Sequence, residues 1–161
     1  MTREELIQSI YAAFKDVKLE DGIGLLEAEM IDYNYDRTEA RNKDERDDWT
    51  KLLPIFYVNY AIEGWTFMDA KGIRFHLPCY LLQDLESLLY PWDNPLIYTL
   101  NNVENRQFNE LKILNAAQRL VIIEFLKYKV EEFNTEDSNS DFIMEYQNAK
   151  NNFEKFIVTI N

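Results

Sequence analysis

The chain has 161 residues, 47% hydrophobic and 14% aromatic, which excludes wholesale disorder and predicts a single packed domain over residues 1–161. A net charge of −12 with no basic patch makes nucleic acid and membrane unexpected as partners, since phosphates and anionic headgroups would be repelled. The lone cysteine excludes an internal disulfide and fits a reducing compartment; with no basic-then-apolar leader and no membrane-length apolar run, a cytoplasmic location is expected.

In chain order, Thr2 and Glu5 form a capping box that starts a helix at Arg3, and Leu6, Ile7, Ile10, Tyr11 and Phe14 make its apolar stripe. Asp21-Gly22-Ile23-Gly24 reads as a loop. Leu25, Leu26, Met30, Ile31 and Tyr33 then mark a second helix with an acidic far side. Residues 36–51 interleave Asp, Glu, Arg and Lys, as a solvated helix or ordered loop would, or as a charge-based partner site would. Within them Trp49, preceded by Asp47 and Asp48, anchors a short helix through Leu52 and Leu53 that Pro54 interrupts. Residues 55–62 read as helix, with strand as the alternative, because periodicity cannot separate the two over so short an apolar run.

Residues 65–89 are the stretch around which the chain is expected to be organised. Trp65, Phe67 and Met68 precede Asp69-Ala70-Lys71-Gly72, and Ile73, Phe75 and Leu77 alternate after it. This predicts a β-hairpin whose loop uses Gly72 at positive φ, with Arg74 and His76 on the strand face opposite Ile73, Phe75 and Leu77. Pro78 suits the first turn of a following helix, where Leu81, Leu82, Leu85, Leu88 and Leu89 recur at helical spacing until Pro91. Residues 96–100 read as a short strand or extended loop, and the polar residues 101–112 as irregular. Asn115 and Gln118 form a second capping box for a helix from Ala116 to about Phe133. A polar loop follows, and Ser140 caps a last helix with Phe142, Ile143, Tyr146, Phe153, Phe156 and Ile157 inward. The expected fold is therefore α+β but mainly helical: five or six helices around a small antiparallel hairpin or three-stranded sheet.

The run from Asp69 through Gly72, Arg74, Phe75, Leu77 and Pro78 to Tyr80 and Leu81 resembles a signature of an uncharacterised family of small bacterial proteins. Asp48-Trp49 upstream, and Leu114-Asn115-Ala116-Ala117-Gln118 with Phe125-Leu126 downstream, extend the resemblance over the middle and later two thirds of the chain. It implies a bacterial cytosolic domain and no particular chemistry.

Candidate chemistry is sparse. Arg74 and His76 on one strand face, with Tyr80 nearby, could bind a small anion if that face is open; if a helix covers it, Arg74 pairs with a carboxylate such as Asp69 or one from the acidic helices. His76 and Cys79 are three residues apart, but a zinc site needs more ligands and no second pair exists, so no metal or other cofactor is expected. In a Cys79–His76 nucleophile, Cys79 is expected in the first turn of a helix, where the dipole lowers a thiol pKa, but no oxyanion-hole loop or third orienting residue is visible and a buried, structural cysteine is the commoner case. No catalytic set is recognisable. The expected function is a non-catalytic acidic interaction protein that masks a basic protein partner, with an immunity- or antitoxin-like role as one form. Glu27, Glu29, Asp32, Asp44, Asp47, Asp48 and Trp49 are the partner-binding candidates. The alternative is an enzyme or small-anion-binding domain using the Arg74/His76/Tyr80 face.

Overall fold

A computed structural model describes residues 1–58, 63–86, 90–135 and 140–160. Nine α-helices and four 3-10 turns occupy them, and no strand occurs among the described residues, so the fold is all-helical rather than α+β. None of these helices is long and apolar enough to cross a membrane.

Helix α1 (Arg3–Phe14) opens on the expected capping box and buries Leu6, Ile10 and Phe14. Helix α2 (Leu25–Asp32) lacks a cap of its own; Asp44, much later in the chain, accepts from the Leu26 and Glu27 N–H groups at 2.8 and 3.1 Å. Its far end is closed by Asn34, at φ 55°, with Tyr35 N–H bonded to the Met30 carbonyl and Asn34 N–H to that of Ile31. This is a Schellman ending with asparagine in the left-handed position. Helix α3 (Thr38–Lys43) packs on α2. A 3-10 turn (Trp49–Leu52) capped by Asp48 leads into α4 (Leu53–Val58), so Pro54 sits in the first turn of α4. The start of the open 55–62 stretch is therefore helical; its last residues, 59–62, lie outside the described residues.

The expected hairpin is replaced by a 3-10 turn (Glu63–Phe67) and a long helix, α5 (Ala70–Leu85). Asp69 is not a turn residue but the N-cap of α5, accepting from Gly72 N–H at 2.8 Å and also from Ile23 N–H. From Ile73 to Leu85 every residue except Arg74 is buried, so α5 has no polar stripe to reveal its period. The alternation of Ile73, Phe75 and Leu77 is incidental within a helix surrounded by other elements. Pro78 lies inside the helix, which gives up one backbone bond there rather than starting at it. The helix ends at Leu85, short of Leu88 and Leu89, which lie outside the described residues.

Gly72 is not at positive φ; no glycine is. It is small because the segment leading into α2 crosses α5 there, and a Cβ would stand 2.2 Å from the Ile23 carbonyl oxygen. Gly72→Ala is expected to destabilise by about 1–3 kcal/mol through overpacking. A urea midpoint equal to that of the parent would show that the crossing is not made.

Helix α6 (Pro95–Asn101), capped by Asn94, replaces the strand or loop expected at 96–100. Residues 101–112 are ordered: α7 (Arg106–Glu110) and a 3-10 turn (Leu111–Ile113) stand where irregular chain was expected. Their polar groups brace backbone elsewhere, Arg106 and Gln107 both donating to the Thr66 carbonyl. Helix α8 (Ala116–Thr135) starts on the expected Asn115/Gln118 box. Helix α9 (Ser140–Ile160) returns antiparallel to α8, as the Phe133–Phe142 and Phe125–Tyr146 ring pairs show. The core gathers around α5, with α1 packed on both α5 and α8, and α6 against α9.

Candidate functional site

The helical state of α5 separates the residues expected to share a face. At about 100° per residue, Arg74 and His76 point to opposite sides, whereas His76 and Tyr80, four apart, share one. His76 and Tyr80 turn into the core. The His76 Nδ1–H donates to the Gly72 carbonyl at 2.8 Å, and its ring lies against Phe56 and Phe75. Burial lowers its pKa to about 4. Tyr80 meets Phe56 and Trp65 edge-on.

Cys79 is also buried and lies in the third turn of α5, not the first. Its thiol faces the Trp49 carbonyl at 3.6 Å, and burial pushes its pKa up, the reverse of what a thiolate nucleophile needs. Among the described residues, no three His, Cys, Asp or Glu side chains are grouped to hold a metal ion.

Arg74 alone of the three reaches the surface, on a groove of about 540 Å³ bounded by α1, the residues after it and the N-terminus of α8. It pairs with Glu20 at 3.0 Å, not with Asp69. Lys71 binds the same carboxylate at 2.6 Å, and its hydrogen bond, foremost, holds Glu20 below the ordinary carboxylate pKa. Glu20 sits at φ 57°, a left-handed position that costs a non-glycine residue energy, so its backbone is held there by the surroundings. The Arg74 Nε–H is buried without a hydrogen-bond partner. Lys18 and Asp16 also line this groove, so its wall carries both signs of charge.

The partner-binding candidates divide in two. Glu27 is 1% exposed and draws in three arginines: Arg41 at 2.6 Å, Arg37 at 3.6 Å and Arg46 at 4.0 Å. Asp44 caps α2, Asp48 caps the 3-10 turn after it, and Trp49 is buried with its indole N–H donating to the Phe14 carbonyl at 2.9 Å. These four hold the fold. Glu29, Asp32 and Asp47 are exposed, Asp47 paired with Lys18.

One group had no sequence expectation attached to it. Asp84 of α5, fully buried, accepts from the Tyr146 hydroxyl at 2.7 Å, from the Asn94 amide at 2.6 Å and from the Lys129 ammonium at 3.1 Å. Lys129 is 2% exposed and also binds Glu132 at 2.7 Å. Burial opposes its charge, but Asp84 and Glu132 outweigh that and raise its pKa. The signal available in the sequence is a lysine on the line of Val121, Phe125 and Leu126 in α8, at a position where a solvated charge would not be placed.

No curated protein and no solved structure matches the chain. The model of a family of unknown function, DUF6714, matches residues 2–154, and the chain belongs to that family.

Proposed function

We propose that the chain is a non-catalytic acidic protein of the bacterial cytoplasm that binds the basic surface of a protein partner, immunity- or antitoxin-like masking being one form. What supports this is the sorting of charge around α2. The arginines of residues 37–46 reach towards Glu27, while Glu29, Asp32 and Asp36 face solvent. Tyr33 and Tyr35, 52% and 69% exposed, stand among these acids on the shoulder that Asn34 forms. Exposed tyrosines beside exposed acids are the make-up of an interface that steers by charge and anchors by rings. Of the sequence candidates, Glu29 and Asp32 belong to this surface, and Asp47 is paired with Lys18.

The test is capture of the partner from the host, followed by its association rate with the purified chain. Raising salt from 0.01 to 0.15 M shortens the Debye length from about 30 Å to about 8 Å and should slow association steeply. The triple change Glu29→Gln, Asp32→Asn, Asp36→Asn should slow it roughly 10-fold at low salt. Asparagine keeps the acceptor that Asp36 offers the Thr38 N–H and hydroxyl at 2.9 and 2.7 Å, so the thermal midpoint should change little. A salt-independent rate would overturn the proposal.

Arg74, which lines the groove and whose buried Nε–H has no hydrogen-bond partner, favours the second reading, a small-anion-binding or catalytic domain. With His76 and Tyr80 in the core, that reading rests on Arg74. Thermal stabilisation by inorganic phosphate that disappears in Arg74→Ala would replace the first proposal with this one.

A further inference from the structure

Two aromatic rings stand exposed far along the chain from α2. Tyr90 and Trp92, at the 3-10 turn before α6 (Pro91–Asp93), are 58% and 56% exposed and stack on each other, 5.3 Å between centroids and 12° between planes. Phe142 of α9 meets both edge-on, at 6.0 and 5.1 Å, and Phe133 of α8 backs Phe142 at 5.5 Å. The pair is thus fixed from behind and presents ring surface to solvent. Large aromatics left in water need a reason, because burying either would contribute to stability.

Charge names what would cover them. No lysine or arginine occurs between Arg74 and Arg106, nor between Lys129 and Lys150, and these two stretches carry the rings and their support. Asp93 follows Trp92 directly, and the exposed Asp141 precedes Phe142. Arg3 and Lys129 reach these stretches from outside and already hold Glu86 and Asp84. The two stretches of chain that carry the rings therefore hold acids and no lysine or arginine.

We infer that Tyr90 and Trp92 form a platform for an arginine side chain of a basic protein partner. A guanidinium is planar, weakly hydrated and stacks on aromatic faces, whereas a lysine ammonium offers only a point charge. Asp93 and Asp141, next in sequence to Trp92 and Phe142, add attraction for a cation. The inference takes the partner's basic character from the function proposed above and adds the side chain it presents.

The rings supply their own reporter. Trp49 and Trp65 are 2% and 3% exposed, so Trp92 dominates quenching of the native protein by acrylamide. A hexa-arginine peptide is the probe and hexalysine the control. Hexa-arginine should shield Trp92 from acrylamide and bind more tightly than hexalysine. Tyr90→Ala should weaken hexa-arginine binding roughly three- to five-fold, and Trp92→Ala, followed by calorimetry, at least as much. Trp92→Phe, which keeps a smaller ring, should lie between. Because both side chains are half in water, the far-ultraviolet dichroism and urea midpoint of the variants should match the parent.

Hexa-arginine binding equally well to Tyr90→Ala and to the parent would overturn the platform. If the triple change at Glu29, Asp32 and Asp36 then abolished that binding, the acidic-interaction reading would survive alone. If neither set of changes weakened it, both would fall. Shielding of Trp92 by phosphatidylcholine vesicles but not by hexa-arginine would assign the rings to a bilayer and overturn the inference.

Discussion

Lys129→Met is expected to destabilise the protein by about 3–5 kcal/mol, the usual result of removing one partner from a buried ion pair. The change leaves Asp84 fully buried, still accepting from Tyr146 and Asn94 but without the ammonium 3.1 Å away. Lys129 also lies 4.9 Å from the Phe133 ring centroid and 5.6 Å from that of Tyr146, so ring contacts are lost with the charge. Methionine restores the volume of the stem and isolates the effect of the charge. The double variant Lys129→Met, Asp84→Asn should recover a large part of the loss, since it removes the orphaned carboxylate as well. Urea unfolding of the parent, the two single variants Lys129→Met and Asp84→Asn, and the double variant closes the cycle. A loss below about 1 kcal/mol for Lys129→Met would mean that Asp84 is already neutral in the fold. The cluster joins α5, α8 and α9, and its Tyr146 ring stacks on Phe133 beneath Phe142. Weakening it should therefore also loosen the support of Tyr90 and Trp92.

What could be read from the sequence was local. The Thr2/Glu5 and Asn115/Gln118 boxes each span four residues and are present as read. Helix α9, with water along one side, showed its period. Helix α5 did not, because burial on all sides removes the polar positions that a helical period needs. With that signal absent, Asp69 and Gly72 looked like a turn; a cap and its third helical residue use the same pair of residue types. The prolines misled in the same way, since Pro78 is tolerated inside a helix held by its neighbours.

The sites depended on contacts far apart in the chain. Glu27 looks like one more acid on an acidic helix until Arg37, Arg41 and Arg46 are brought to it. Asp44 looks like part of a solvated charge run until it caps a helix begun at Leu25. The pairing of Arg74 with a carboxylate was foreseeable, but Glu20 as the carboxylate was not, because 54 residues separate them. Interleaved charges of residues 36–51 gave no hint that Arg37, Arg41 and Arg46 would converge on the buried Glu27 while Lys43, Lys51 and acids such as Asp36 stay exposed. That sorting, and not the net charge, is what makes α2 the better candidate for an interface.

Acidification from pH 6.5 to 4 should cost the parent protein about 3 kcal/mol more stability than His76→Phe, through His76 alone. The sign follows from its environment. Burial lowers the folded-state pKa from 6.5 to about 4, against the hydrogen bond to Gly72, which favours the protonated ring. Between those values the unfolded chain binds a proton that the native one does not, so stability rises with pH across the window. The contribution of neutral His76 is therefore complete above 6.5 and lost progressively as pH falls towards 4. Phenylalanine keeps an aromatic ring against Phe56 and Phe75 and cannot titrate. Carboxylates that gain partners in the fold, such as Glu20 and Asp21, are shifted downward and lose their contribution lower on the pH scale. They are present in both proteins, so they cancel in the comparison. Urea midpoints at pH 7, 5.5 and 4.5 measure the difference in slope. Parallel slopes for the parent and His76→Phe would show that the imidazole takes up its proton in the native state as readily as in water. In that case His76 would have access to solvent, and the separation of its ring from the Arg74 groove by the body of α5 would be wrong.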